Sequence, residues 1–203
     1  GSILLLEQKK FFWAGTIFGL AMGLKQSIWI AVPLAAYYLY QLWRKKQISG
    51  TNVRTTIFGT LLVASVIFVP FILWSPFHFY NDLIRYASGS IPFSYAISGS
   101  TILQYLVVAH WVPSPWSIIP TWFFELLAGL PALFLTGWWL QKRTTSDQLL
   151  TGIAVLTFVV LMCSRYFNPN YFSGIFLFFS THFALHAPSP SLRQTVCDGT
   201  VVK

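Results

Sequence analysis

Hydrophobic residues in this chain are neither spaced at threes and fours nor alternated; they come in near-continuous runs separated by short polar punctuation. The runs extend over Phe11 to Leu24, Ser27 to Trp43, Thr56 to Trp74, Trp116 to Leu140, Leu149 to Cys163 and Tyr171 to Leu185. No polar stripe is left over for a wet face, so the pattern predicts bilayer-crossing helices and argues against a soluble core. The first and the last two runs are short for a hydrocarbon core of ~30 Å, which takes about 20 residues at ~1.5 Å each, and they need flanking residues or local thinning. A shorter run from Thr101 to Val112, closed by Pro113-Ser114-Pro115, is expected to be a re-entrant or interfacial helix. Ser75 to Ser88 opens on a capping serine and a proline, and its polar positions 78, 81, 82, 85 and 88 share one helical face. That segment is expected to lie in the membrane interface. The expected fold is all-α: a polytopic transmembrane bundle of about six crossings plus these two segments, over residues 1–185. Residues 186–203, with Pro188 and Pro190, are expected to form a polar, disordered tail.

Composition sharpens the picture. Of 203 residues 55% are hydrophobic and only 9% are charged, against roughly 25% charged in an ordinary soluble domain. A formal net charge of +8 would suggest nucleic acid as a partner of a soluble chain. Here the cations fall between apolar runs, without polar readers beside them, so the expected partner is the lipid bilayer and not nucleic acid. Positive-inside bias puts Lys9-Lys10, Arg44-Lys45-Lys46 with Arg54, and Lys142-Arg143 on one side. Lys25-Gln26 must then mark a reversal on the far side, and both ends of the segment are expected to be cytoplasmic in an integral, multi-pass membrane protein. The cysteines Cys163 and Cys197 have neither metal-ligand spacing nor the density of a disulfide framework. Gly1-Ser2 at the start leads us to expect preceding residues.

This topology sorts the chemistry. Of the 13 Lys and Arg, only Lys25, Arg85 and Arg165 are expected outside, and His78, Asn81, Asp82, His110, Asn168 and Asn170 accompany them. An outward-facing polar site follows. Lys25, with Gln26, joins two apolar segments, where an ammonium suits a lipid phosphate or else snorkels to the surface. In Ser164 to Tyr171, Arg165 has a donor fork suited to phosphate, Asn168 and Asn170 have amides for hydroxyls, and Tyr166 and Tyr171 have rings on which a sugar or prenyl chain can lie. Asn-Pro-Asn is also a good turn. On the interfacial helix, His78, Asp82 and Arg85 face a surface substrate, or simply meet water with Asp82 and Arg85 paired at i, i+3. Glu125, inside the fourth run, reads as a packing carboxylate. His110 and the His182–His186 pair lack a third ligand, so neither a metal nor any other cofactor is expected. No phosphate loop, nucleophile elbow or kinase motif occurs.

Lys9-Lys10, Ala14-Gly15, Gly19-Leu20-Ala21, Gly23 and Lys25-Gln26 together resemble a recurrent stretch of the integral-membrane glycosyltransferases of the GT-C superfamily. Val69-Pro70-Phe71 before the juxtamembrane helix, Phe93 to Ser100, and the Arg165 to Tyr171 turn follow in the order of the later half of such enzymes. The resemblance covers most of residues 5 to 185 with short motifs. It implies transfer of a hexose or pentose from a polyprenyl-phosphate-linked donor to a non-cytoplasmic acceptor. It also implies that Lys25 and Arg165 bind the donor phosphate. The family's acidic base sits in a first outer loop that has no counterpart here, which leaves Asp82 as the only acidic residue expected outside. A transporter or flippase of a lipid-linked sugar is a rival reading, although the Lys25 break has no inverted-repeat partner at the Gln141-Lys142-Arg143 turn. A structural membrane subunit is another, and it predicts that Lys25, Arg85 and Arg165 tolerate Gln.

Overall fold

The computed structural model describes residues 1–92, 94–167 and 169–186, with the backbone alone at 169, 170 and 181–186. Helix α1 (Ser2–Glu7) leads into α2 (Phe11–Leu24), which ends where Lys25 turns extended, at φ −151° and ψ 121°. A 3-10 segment, Gln26–Ala31, starts the return, and α3 (Val32–Arg44) continues it with Pro33 in the first turn, where no amide donor is missed. The reversal expected at Lys25-Gln26 is present, because Lys9 and Phe11 at one limit and Trp43 and Lys46 at the other line one cavity. Helix α4 (Gly50–Trp74) then runs back, its amino end capped by Ser49 Oγ, which accepts the Asn52 N–H at 3.2 Å.

Helices α2 and α4 lie side by side and point the same way. Gly15, Gly19 and Gly23 recur every fourth residue and so share one face of α2. Gly15 meets the Thr56 backbone, Gly19 meets Thr60 and Gly23 meets the Ile67 side chain, while Gly59 of α4 meets the Phe12 carbonyl. A Cβ at position 15, 19 or 59 would collide with the facing main chain, which is the close approach that small residues permit between apolar helices. The Thr60 hydroxyl sits between the Gly15 carbonyl at 3.1 Å and that of Thr56 at 3.0 Å, so its hydrogen stays satisfied inside the seam.

The second half is a hairpin of α7 (Trp122–Lys142) and α8 (Ser146–Cys163), followed by α9 (Pro169–His186). Lys45 ties the end of α3 to the hairpin turn, donating to the Gln141 carbonyl at 3.0 Å and to Thr144 Oγ1 at 2.6 Å. Helix α8 is the most enclosed element. Its Leu149, Ile153 and Leu156 pack with Leu34, Tyr38, Leu42 and Leu140. Further along, Ala154 and Leu161 pack with Phe167 and Ile175. Among the described residues three helices, α4, α7 and α8, are long and apolar enough to cross a membrane, with 25, 21 and 18 residues. At ~1.5 Å per residue they span roughly 37, 31 and 27 Å. The outward sides of α4 and α7 carry Val66, Phe71, Leu73, Leu127 and Phe134, all more than half exposed, as suits hydrocarbon surroundings.

Several expected boundaries shift. The run from Trp116 becomes helical only at Trp122, because Pro115 and Pro120 keep the intervening backbone irregular. The Thr101 to Val112 run yields α6 (Ile102–Val108), seven residues capped by Thr101 Oγ1, which accepts the Gln104 N–H at 3.1 Å. The single interfacial helix divides into α5 (Pro76–Tyr80) and a π-helical turn, Asn81–Arg85, whose extra residue per turn breaks the periodicity of the polar face. An all-α expectation also missed a two-residue parallel pairing of β1 (Ser98–Gly99) with β2 (Tyr166–Phe167). From residue 187 onward the expected tail lies outside the described residues.

Candidate functional site

The segments after the π-turn, after α6 and after α8 meet at the end of the bundle opposite the lysine-rich turns, and Arg165 joins them. Only 2% of it is exposed. Its Nη2 donates to the Pro115 carbonyl at 3.3 Å, its Nη1 to that of Ile119 at 3.5 Å, and its Nε to that of Tyr95. Burial lowers its pKa from the ordinary guanidinium value, and the carbonyl dipoles aimed at it oppose that loss. Gly89, at φ +71°, lies against this side chain, and any Cβ there would strike Nη1. Around the arginine, Ser98 N–H donates to the Arg165 carbonyl at 3.1 Å and Thr121 N–H to that of Ser88 at 2.9 Å. The donors expected to meet a phosphate are thus turned inward, onto the backbone of the loop.

Lys25 is exposed and stands 4.2 Å from the centroid of the ring of Tyr171, in the first turn of α9. Next to it, Gln26 Nε2 donates to the Leu83 carbonyl of the π-turn at 3.3 Å. Tyr171 is the last of four tyrosines in a row: Tyr86 to Tyr95 at 4.7 Å, Tyr95 to Tyr166 at 5.5 Å and nearly parallel, Tyr166 to Tyr171 at 6.5 Å and edge-on. A cation therefore stands at one end of an aromatic platform assembled from two distant stretches of chain, 86–95 and 166–171. Such a platform offers flat apolar faces with polar tips, and the ammonium beside it offers charge.

The remaining sequence candidates lie on the neighbouring segment with local partners. His78 Nδ1 shares a 2.7 Å hydrogen bond with Ser75 Oγ. Arg85 Nη1 donates to Asn81 Oδ1 at 3.1 Å, so its partner is an amide one turn back and not Asp82. Asp82 is exposed. Asn168 lies outside the described residues, and of Asn170 only the backbone is described. Glu125 is placed differently from its expected depth. Since α7 begins at Trp122, Glu125 belongs to the first turn, where it accepts from Thr121 Oγ1 at 2.8 Å and meets the helix dipole. It is thus a second carboxylate at the loop end. The sequence signal for this was Pro120-Thr121, a helix start inside what reads as one apolar run.

The fold and this end of it define a class: a predominantly helical protein with, among the described residues, three membrane-length helices and a polar, tyrosine-lined loop assembly at one end. No known protein family, curated protein or solved structure matches the chain.

Proposed function

We propose that the chain is part of a membrane glycosyltransferase that transfers a sugar from a polyprenyl-phosphate-linked donor to an acceptor on the non-cytoplasmic side. The observation that carries this reading is the exposed Lys25 ammonium at the end of the Tyr86–Tyr95–Tyr166–Tyr171 row. In the proposal Lys25 neutralises the donor phosphate and the charge that develops on it as the leaving group. The tyrosines carry the sugar or the first prenyl units, with Gln26, His78 and Arg85 as further contacts to the substrate. Arg165 serves as a positioning residue, because its donors hold the loop that presents Tyr95. Asp82 is the acidic candidate for the base. The reading has α2, the 3-10 segment with α3, α4, α7, α8 and α9 as six crossings, with both ends of the bundle segment cytoplasmic.

Binding of a short-chain polyprenyl phosphate to the intact protein in membrane vesicles tests the site. Lys25→Gln is expected to weaken binding by about ten-fold or more, the loss of one charge-assisted contact worth at least ~1.4 kcal/mol. Tyr171→Leu is expected to weaken it less, since the charge remains. Wild-type affinity in Lys25→Gln overturns the phosphate assignment.

A further inference from the structure

The opposite end of the bundle holds a cavity of about 610 Å³ between α1, the end of α3 and the start of α4. Leu6, Phe11, Leu42, Trp43 and Ile48 form its apolar wall, and Lys9, Lys46 and Glu7 are its charged groups. The two lysines are held there in an unusual way. Lys9 follows α1 at φ +60° and Lys46 follows α3 at φ +57°, both in the left-handed region that favours glycine. Each closes the same terminal motif. After α1, Lys9 N–H donates to the Leu6 carbonyl at 3.0 Å and Lys10 N–H to that of Leu5 at 2.8 Å. After α3, Lys46 N–H donates to the Trp43 carbonyl and Gln47 N–H to that of Leu42, both at 2.9 Å. Glycine is the usual residue at that position of the motif, so a lysine there carries backbone strain that glycine would avoid. Strain of this kind at two sites that open into one cavity calls for a use of the two ammonium groups.

We propose that this cavity binds the headgroup of a monoanionic phosphodiester lipid, with the phosphate between Lys9 and Lys46 and an acyl chain along Phe11, Trp43 and Ile48. Charge selects the class: two ammonium groups against the single Glu7 carboxylate leave one positive charge, which matches a diester better than a dianionic monoester. The amino end of α4 adds to the field through the positive end of its dipole, because Ser49, Gly50 and Asn52 line the cavity, although the Asn52 N–H itself is taken by Ser49 Oγ. The apolar wall selects a lipid over a free phosphate, since an acyl chain gains from burial against it and a soluble anion does not. Lys45, one residue before Lys46, is already engaged by Gln141 and Thr144 and plays no part. The site lies at the far end of the bundle from Lys25 and does not depend on the glycosyltransferase reading.

The test uses the full chain in neutral detergent, with short-chain phosphatidylglycerol as probe, phosphatidylcholine as the reference without net charge, and glycerol 3-phosphate as the soluble phosphate. Phosphatidylglycerol is expected to bind about ten-fold more tightly than phosphatidylcholine. The double variant Lys9→Gly/Lys46→Gly removes both ammonium groups and relieves both strained backbones, so it is expected to melt no lower than wild type and to lose the preference. Lys10→Gln/Arg54→Gln removes the same two charges from outside the cavity and is expected to keep it. Equal binding of the two lipids by the wild type overturns the proposal, as does equal loss in both double variants, which would mean a diffuse surface field. Displacement of phosphatidylglycerol by an equal concentration of glycerol 3-phosphate would show that a soluble phosphate is the ligand, and the lipid assignment would fall.

Discussion

A guanidinium with almost no exposure has to be paid for, and Arg165 shows how a chain short of acidic residues does it. Its partners are the carbonyls of Tyr95, Pro115 and Ile119, all from a stretch with little regular structure to satisfy them otherwise. The arginine and the loop therefore each supply what the other lacks. Arg165→Met would leave those carbonyls facing a thioether, at ~1–3 kcal/mol for each unmade bond. Arg165→Lys keeps the charge but replaces a rigid fork with one compact donor group, so it is expected to recover part of the loss only. Hydrogen exchange reads the outcome: amides of 94–100 and 115–121 should exchange faster in Arg165→Met while those of α4 keep their protection. Unchanged exchange in the loop would contradict the pinning role.

Among the elements, the α2–α4 pair depends on absent side chains. The Thr56 and Thr60 main chain fills the space where Cβ atoms of positions 15 and 19 would be, so neither helix can yield without parting from the other. Gly19→Leu is expected to destabilise the protein by more than ~3 kcal/mol in a denaturant titration in detergent, at the severe end of overpacking because backbone is struck. Gly174 of α9 is the internal control, since a Cβ there meets nothing within 4 Å. Gly174→Ala should be neutral or stabilising by up to ~1 kcal/mol, from helix propensity alone. Similar losses in the two variants would mean that the seam is not what matters.

The molecule as a whole is polarised along the helix axes. Lys9, Lys45, Lys46 and Lys142 collect at one end, while Lys25, Arg165 and the tyrosine row collect at the other, and apolar surface lies between. A bilayer around that middle would put the two proposed sites on opposite faces. Single cysteines in a background with Cys163 and Cys197 replaced by serine test this in intact cells with an impermeant maleimide. Gln26→Cys and Ser90→Cys are expected to label from outside, and Gln47→Cys and Thr144→Cys only after the membrane is opened. Labelling of Ser90→Cys and Thr144→Cys from the same side would remove α7 as a crossing, and the same result for positions 26 and 47 would remove α3.

The run pattern alone predicted a mainly helical chain, since a stretch without polar positions has no wet face to offer, and three of its six runs form helices long and apolar enough to cross a bilayer among the described residues; it also located the reversal at Lys25-Gln26 through the charges on either side. The glycines at 15, 19 and 23 entered the sequence reading only as part of a family resemblance, and the structure alone shows them as the face of α2 that meets α4. The ends of α1, α3 and α6 were harder, because Lys9, Lys46 and His110 occupy a position where glycine is the usual sign. Tertiary structure decided the rest. Arg165 reads in sequence as a fork looking outward for phosphate, yet its direction is set by carbonyls 46 to 70 residues away. Glu125 moved from mid-helix to a first turn once Pro120 ended the irregular stretch before it. The tyrosine row and the two-lysine cavity each gather residues from distant parts of the chain, and distance along a chain carries no signal of contact until packing closes it.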